Sequence, residues 1–295
     1  MATRWTRLVD VKGGGMELAF ITWNISPEFL HISERVIIRY YGLFWSLGLL
    51  VGYFLLHALA KREQYPSLVA DKEALYATIG VLIGARLGHC LIYDPVHYLS
   101  NPLELLHFWE GGLASHGGGV GVLLALALLA RRLRVPFLWI MDRIAIPIAF
   151  IATMIRLGNL MNSEIYGVET TRPWGFIFTR AGETLPHHPT QLYEASGYFL
   201  VFILLALLYY RRPTLRLYRG LLFSIFLVLM FTVRFLVEFI KEPQSAYEVG
   251  MFLNMGQLLS IPFLLYGAYL FTQQLRHGPY EKVKITLSTP KKKRK

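Results

Sequence analysis

The chain has 295 residues, of which 54% are hydrophobic and 17% charged, with a mean hydropathy of +0.42; this excludes an ordinary soluble domain. The formal charge of +11 would point a soluble protein toward nucleic acid. In a chain this apolar it bears on membrane topology instead, and no nucleic-acid partner is expected. The lone cysteine, Cys90, excludes an internal disulfide and any CxxC metal or redox site, and its apolar surroundings predict a buried side chain.

Residues 1–36 are predicted to lie outside the membrane. The opening MATRWTRLVDVKGGG lacks the apolar core of a cleavable signal peptide. Met16 is an alternative start, because the residues before it are polar, Gly-rich and unpatterned. Apolar runs then recur at 37–59, 74–93, 117–130, 137–155, 193–210, 221–240 and 251–273. Each is near the length of about 17–25 residues that a hydrocarbon core roughly 30 Å thick requires. They predict an all-α integral membrane protein with seven transmembrane helices over 37–273, followed by a basic tail over 274–295.

Charge orients these spans. Lys61, Arg62 and Lys72 follow the first, Arg131, Arg132 and Arg134 the third, Arg211, Arg212, Arg216 and Arg219 the fifth, and Arg276 and KKKRK the last. The alternate loops hold Arg172, Arg180 and Lys241 but no lysine or arginine over 94–116. The N-terminus is therefore predicted outside and the C-terminus inside, with Arg4, Arg7 and Lys12 as a mild exception. KKKRK is read as a solvated tail drawn to anionic lipid. No internal repeat is visible. Only the outer loop 159–192 is long enough for a small extramembrane subdomain, with PWGFIFT over 173–179 predicted as a short strand and Arg180 to Gly182 as its turn.

With direction assigned, each polar residue acquires a depth, at about 1.5 Å per helical residue. Arg156 falls at the outer end of span four, where Arg156, Asn159, Asn162 and Glu164 follow an apolar run within nine residues. Arg86 lies about a third of the way in from the outer face of span two. Arg234 lies far along the outward-running span six, with Glu238 one turn on. Tyr41 stands near the outer entrance of span one; His116 and three glycines precede span three; His188-Pro-Thr-Gln-Leu-Tyr-Glu194 opens span five. Charges in a membrane are costly unless compensated, so this one-sided convergence marks a functional site.

Guanidinium forks hold phosphate bidentately and stay charged, so Arg156 and Arg234 imply an anionic ligand such as a phospholipid headgroup. Pairing with Glu164 or Glu238 is the alternative for each. Arg86 is more readily structural. His116, flanked by glycines at a helix N-terminus, suits a general base near an anion. His187 and His188 are loop histidines, the second set before a turn-forming proline. No spacing suggests a metal, and no cofactor is expected.

Together, HGGG after a glycine-containing loop, RLGNLMNSEIYG, HPTQLYE, RFLVEFIKEP and NMGQLLSIP resemble the bacterial prolipoprotein diacylglyceryl transferase family from about Tyr41 to Pro262. GARLG and YGL are weaker pieces in the expected places. The resemblance implies transfer of the sn-1,2-diacylglyceryl group from phosphatidylglycerol to the lipobox cysteine of a prolipoprotein signal peptide. A thioether forms and glycerol phosphate leaves, at the periplasmic leaflet of the bacterial inner membrane. It implies His116 as base, Arg156 and Arg234 as the phosphate-handling pair, and Tyr41, Asn159, Glu164, Gly167 and Glu238 as support. Glu194 and Arg86 complete the set of candidate substrate-binding residues. Tyr40 stands where the family has tryptophan, Ala114 and Ser115 replace the usual residues before the histidine, Met230 stands where a tyrosine is common, and Lys241 and Gln244 replace arginine and aspartate. The rival expectations are a non-catalytic protein binding anionic lipid in the outer leaflet, or a small-anion transporter; the latter would place polar groups near the midplane.

Overall fold

Apolar runs too long for a soluble core become seven helices long and apolar enough to cross a membrane. The computed structural model describes residues 6–10, 17–33, 36–92, 95–107, 112, 114–243, 248, 250–283 and 285. The seven are α1 (Tyr40–Glu63), α2 (Ser67–Ile92), α4 (Ser115–Leu133), α5 (Phe137–Met161), α6 (Thr190–Arg211), α7 (Leu221–Val237) and α8 (Met255–His277). A short α3 (Pro95–Ser100) and a 3-10 turn (Pro102–Leu106) lie between α2 and α4. Met16, Asp94, Gln244 and KKKRK lie outside the described residues.

The helices overrun the predicted apolar runs at several ends, because polar side chains there find partners within the bundle. Glu63, beyond the first run, accepts the Tyr209 hydroxyl at 2.6 Å and pairs with Arg143. Glu73 begins no loop; it is fully buried in the second turn of α2. Helix α5 is central, with 67% of its apolar window buried against 22–44% for the other six. Its Trp139, Ile140, Ile144, Ala145 and Ala149 form the middle of the core. Asp142 on α5 also starts α7, accepting the Gly220 N–H at 2.6 Å and the Phe223 N–H at 2.9 Å. A carboxylate there satisfies donors that a helix N-terminus leaves open and favours the helix dipole.

Helices α2 and α4 touch backbone to backbone. A Cβ on Gly84 would lie 2.3 Å from the Gly117 carbonyl oxygen, and one on Gly80 2.7 Å from that of Gly121. Of the glycines after His116, Gly117 seats α4 on α2, while Gly119 faces open space. Small residues permit this approach where lipid offers no hydrophobic drive between helices. Cys90 is fully buried, as its apolar run predicts.

One end of the bundle, hereafter the site end, carries β structure. Strand β5 (Phe176–Phe178) falls inside the predicted PWGFIFT strand and is followed by a 3-10 turn at Thr179–Ala181. It pairs in parallel with β2 (Glu17–Trp23), which pairs antiparallel with β1 (Thr6–Asp10). A hairpin of β3 (Glu28–Ser33) and β4 (Val36–Arg39) leads into α1. The expectation of an unpatterned opening segment is corrected here, since β1 and β2 owe their order to a partner from the loop after α5. Trp23 fastens the sheet to the bundle, its Nε1 donating to the Leu160 carbonyl at 3.0 Å.

Candidate active site

Helix α5 continues past the predicted end of its run, so Arg156 and Asn159 sit on its last two turns and Asn162 caps it. From there a chain of contacts runs across the site end. Arg156 Nε lies 2.8 Å from Glu194 Oε2 on α6, and its Nη1 donates to Asn159 Oδ1 at 3.1 Å. Asn159 Nδ2 donates to Glu164 Oε1 at 2.7 Å, and Asn162 Nδ2 reaches the same oxygen at 3.2 Å. Glu194, fully buried, accepts from the Tyr198 hydroxyl and from Lys241 Nζ, each at 3.2 Å. Lys241 Nζ also donates to Glu238 Oε2 at 3.0 Å. Arg156, Glu194, Lys241 and Glu238 thus alternate in sign. Buried ions are tolerable only when paired and hydrogen-bonded in this way.

Neither arginine takes the carboxylate suggested by sequence proximity. Arg156 pairs with Glu194 rather than Glu164, and Glu238 pairs with Lys241 rather than Arg234. Arg234, half-buried on α7, has no ion pair or hydrogen bond among the described residues. It lies within electrostatic range of Tyr198 and of His116, the exposed second residue of α4. Tyr41, in the first turn of α1, packs against α5 so closely that a Cβ on Gly158 would lie 2.8 Å from its ring. It is within electrostatic range of both Glu164 and Arg156.

Gly167 marks the crossing of two segments. It bridges to Lys241, its N–H donates to the His188 carbonyl at 2.8 Å, and an added Cβ would lie 2.3 Å from the Ile240 carbonyl oxygen. These backbone contacts bring Lys241 to the cluster, and the His187 ring lies 2.8 Å from the Gly167 carbonyl oxygen through Nδ1. Arg86 also serves backbone: it is buried and donates to the carbonyls of Glu104 at 2.6 Å and Leu105 at 3.2 Å. These contacts fasten the 3-10 turn after α3 and are separate from the Arg156 chain.

The loop joining α5 to this crossing is strained. Ser163 and Ile165 adopt φ of 55° and 60°. A left-handed conformation costs an L-residue about 1–2 kcal/mol, and a β-branched one such as isoleucine is a true outlier there. Beyond the crossing lies a cavity of about 590 Å³ lined by Tyr166, Glu169, Glu183, His187 and Glu242, among others. Tyr166 donates to Glu183 Oε1 at 2.5 Å; burial, and then this hydrogen bond, push its hydroxyl up to about 12. His188, beside Tyr193, is held below the usual histidine range by burial and then by the charges of Arg172 and His187. Among the described residues no three His, Cys, Asp or Glu side chains are grouped to hold a metal ion.

The model of the family described as prolipoprotein diacylglyceryl transferase matches residues 27–273. The chain belongs to the prolipoprotein diacylglyceryl transferase family. Relatives named phosphatidylglycerol–prolipoprotein diacylglyceryl transferase include one from Tolumonas auensis, 47% identical over 84% of this chain and 95% of the relative. Others come from Porphyromonas gingivalis, at 43% identity, and Chloroherpeton thalassium, at 41%, each covering 90% of this chain and 98% of the relative.

Against the family pattern, the lysine at 241 keeps a cation between Glu194 and Glu238, so that departure preserves charge. Tyr40 packs edge-on against Phe29 of the hairpin, and Met230 is buried. Sequence reasoning missed Lys241 as a cluster member, along with Tyr198, Thr190 and Gln191. The signal for Tyr198 was its place one turn after Glu194; for Thr190 and Gln191 it was the HPTQLYE motif itself.

Proposed function

We propose that this chain transfers the sn-1,2-diacylglyceryl group from phosphatidylglycerol to the lipobox cysteine of prolipoproteins, forming a thioether and releasing glycerol phosphate. The observation that carries the mechanism is Arg234. It is a half-buried guanidinium without an anionic partner among the described residues and within electrostatic range of a histidine, and Tyr198 lies within range of both it and Arg156, the arginine aimed by Glu194 and Asn159. A cation so placed has its counter-charge supplied by substrate, and the phosphodiester of an anionic lipid fits a planar guanidinium fork.

His116 takes the proton of the cysteine thiol, whose ordinary pKa near 8.5 leaves little thiolate at neutral pH. The sulfur attacks the glycerol carbon that bears the phosphate, a C–S bond forms as the C–O bond breaks, and the electron pair leaves on glycerol phosphate. Arg156 and Arg234 stabilise the charge that grows on the departing phosphate. Glu194 and Asn159 keep Arg156 pointed, Tyr41 closes the α1 side, and Lys241 keeps Glu194 and Glu238 from repelling the anion.

The site end faces the periplasmic leaflet of the inner membrane in this proposal. Lys61, Arg62, Arg131, Arg132, Arg134, Arg211, Arg212 and Arg276 all fall at the opposite ends of their helices, the arrangement expected of cytoplasmic loops. The test is transfer from phosphatidylglycerol to a lipobox peptide by the full chain and by Arg156→Ala, Arg234→Ala and His116→Gln. Each variant is expected to lose most of the rate. Full product formation by both arginine variants would refute the phosphate assignment, and a wild-type rate for His116→Gln at every pH would remove the base.

A further inference from the structure

The strained loop between α5 and the Gly167 crossing contains its own explanation. Neither Ser163 nor Ile165, at φ of 55° and 60°, is a glycine, so nothing in their own chemistry favours the bend. Such a conformation persists only where its surroundings over-determine it. Two side chains do this. Thr190 Oγ1 donates to the Ile165 carbonyl at 2.8 Å, and Gln191 Nε2 donates to the Glu164 carbonyl at 2.7 Å. Both are fully buried, and they are the first two residues of α6. One turn on, the same helix carries Glu194, which holds Arg156 Nε at 2.8 Å.

Glu164 lies between the two strained residues, and its carboxylate accepts from Asn159 Nδ2 at 2.7 Å. That contact fixes which way the Asn159 amide faces, because the same amide offers Oδ1 to Arg156 Nη1 at 3.1 Å. If Ile165 relaxed to an extended φ, the flanking peptide planes would rotate and carry the Glu164 carboxylate away. The Asn159 amide would then be free to turn, and Arg156 would lose the acceptor on one arm of its fork.

We infer that Thr190 and Gln191 are positioning residues for the transfer reaction: their grip on two carbonyls holds the loop in a strained form that sets Glu164, Asn159 and, through them, Arg156. This deepens the proposed function and rests on it. It also explains why α6 opens with a hydroxyl and an amide rather than with the apolar residues that follow. Those two side chains and Glu194 make the first turns of α6 a single jig for the Asn159 and Glu194 contacts of the Arg156 guanidinium.

Thr190→Val keeps the shape, including the methyl that packs near Gly167, and removes only the hydroxyl; Thr190→Ser keeps the hydroxyl. In full-chain assays with phosphatidylglycerol and a lipobox peptide, Thr190→Val is expected to lower kcat about 10- to 100-fold, the size of effect that misplacement of a reacting group produces. KM for the lipid should stay within about threefold, and Thr190→Ser should stay within about threefold of wild type in kcat. Adding Ile165→Gly to Thr190→Val should recover at least about threefold, because glycine holds a positive φ without being gripped. Amide hydrogen exchange over residues 163–167 should quicken at least about tenfold in Thr190→Val and not in Thr190→Ser. A wild-type kcat for Thr190→Val, a loss confined to KM, or unaltered exchange would overturn the inference. The exchange measurement needs no substrate, so a wild-type chain that transfers nothing would overturn the proposed function while exchange still decided the grip.

Discussion

Replacing Glu194 by glutamine removes one charge from the centre of the buried chain and leaves its shape nearly intact. Two cations, Arg156 at 2.8 Å and Lys241 at 3.2 Å, share this carboxylate, and Lys241 keeps a second partner in Glu238 at 3.0 Å. The loss therefore falls mainly on Arg156, left with two neutral partners, the Asn159 oxygen at 3.1 Å and the Tyr198 hydroxyl. Breaking a buried pair costs about 3–5 kcal/mol of stability when the remaining charge finds no other partner. The contact from Lys241 to Glu238 moderates this toward the lower end. For catalysis, the loss of the ion pair that orients the guanidinium should lower kcat by up to about 100-fold, the size of effect that misplacement of a reacting group produces. The extra positive charge attracts an anionic headgroup, so KM for phosphatidylglycerol should hold steady or fall. Initial rates of lipid transfer to a lipobox peptide at varied phosphatidylglycerol would separate the two constants, with thermal unfolding in detergent alongside. Adding Lys241→Met should lower stability further, because it also strips buried Glu238 of its partner at 3.0 Å. A wild-type kcat with raised KM would refute the view that Glu194 aims Arg156.

Glu73→Met should raise the unfolding temperature. Glu73 is fully buried at the opposite end with both carboxylate oxygens unpartnered among the described residues. Removing such a group is worth about 1–3 kcal/mol. A lowered midpoint would instead mean that something satisfies the carboxylate that methionine cannot reach. A pH effect is expected from His188, which lies outside the spans with its pKa lowered from 6.5. Its neutral form suits the fold, so its contribution is complete above pH 6.5 and lost as pH falls through the lowered value. His188→Asn should flatten that acid-side decline in stability, measured by unfolding temperature against pH; an unchanged profile would exclude His188 as its source.

The spans were legible because a hydrocarbon core imposes a length on every helix that crosses it. Their ends were less so: Glu63, Glu73 and Asn159 look like loop residues until partners from other helices are known. The convergence of Arg156, Asn159, Glu164, Tyr41 and Glu238 at one end of the bundle followed from depth alone. Which cation meets which anion did not, because Arg156 finds Glu194 and Glu238 finds Lys241 through tertiary packing. Lys241 stood alone in the sequence and is central in the fold. Gly117 seats α4 on α2, a role the sequence did not single out because close approach to another helix and close approach to an anion demand the same residue.

The parallel pairing of β2 with β5 has a consequence for how the molecule is made. Ile21 aligns with Phe176, and α1, α2, α4 and α5 all lie between them in the chain. A ribosome therefore delivers β2, with β1 on one side, long before β5 exists to pair with its other edge. That second edge must wait unpaired until those helices have entered the bilayer. The cap that Trp23 fixes over the end of α5 is thus finished late, and any factor that shields nascent strand edges at the membrane surface would have its moment during that interval.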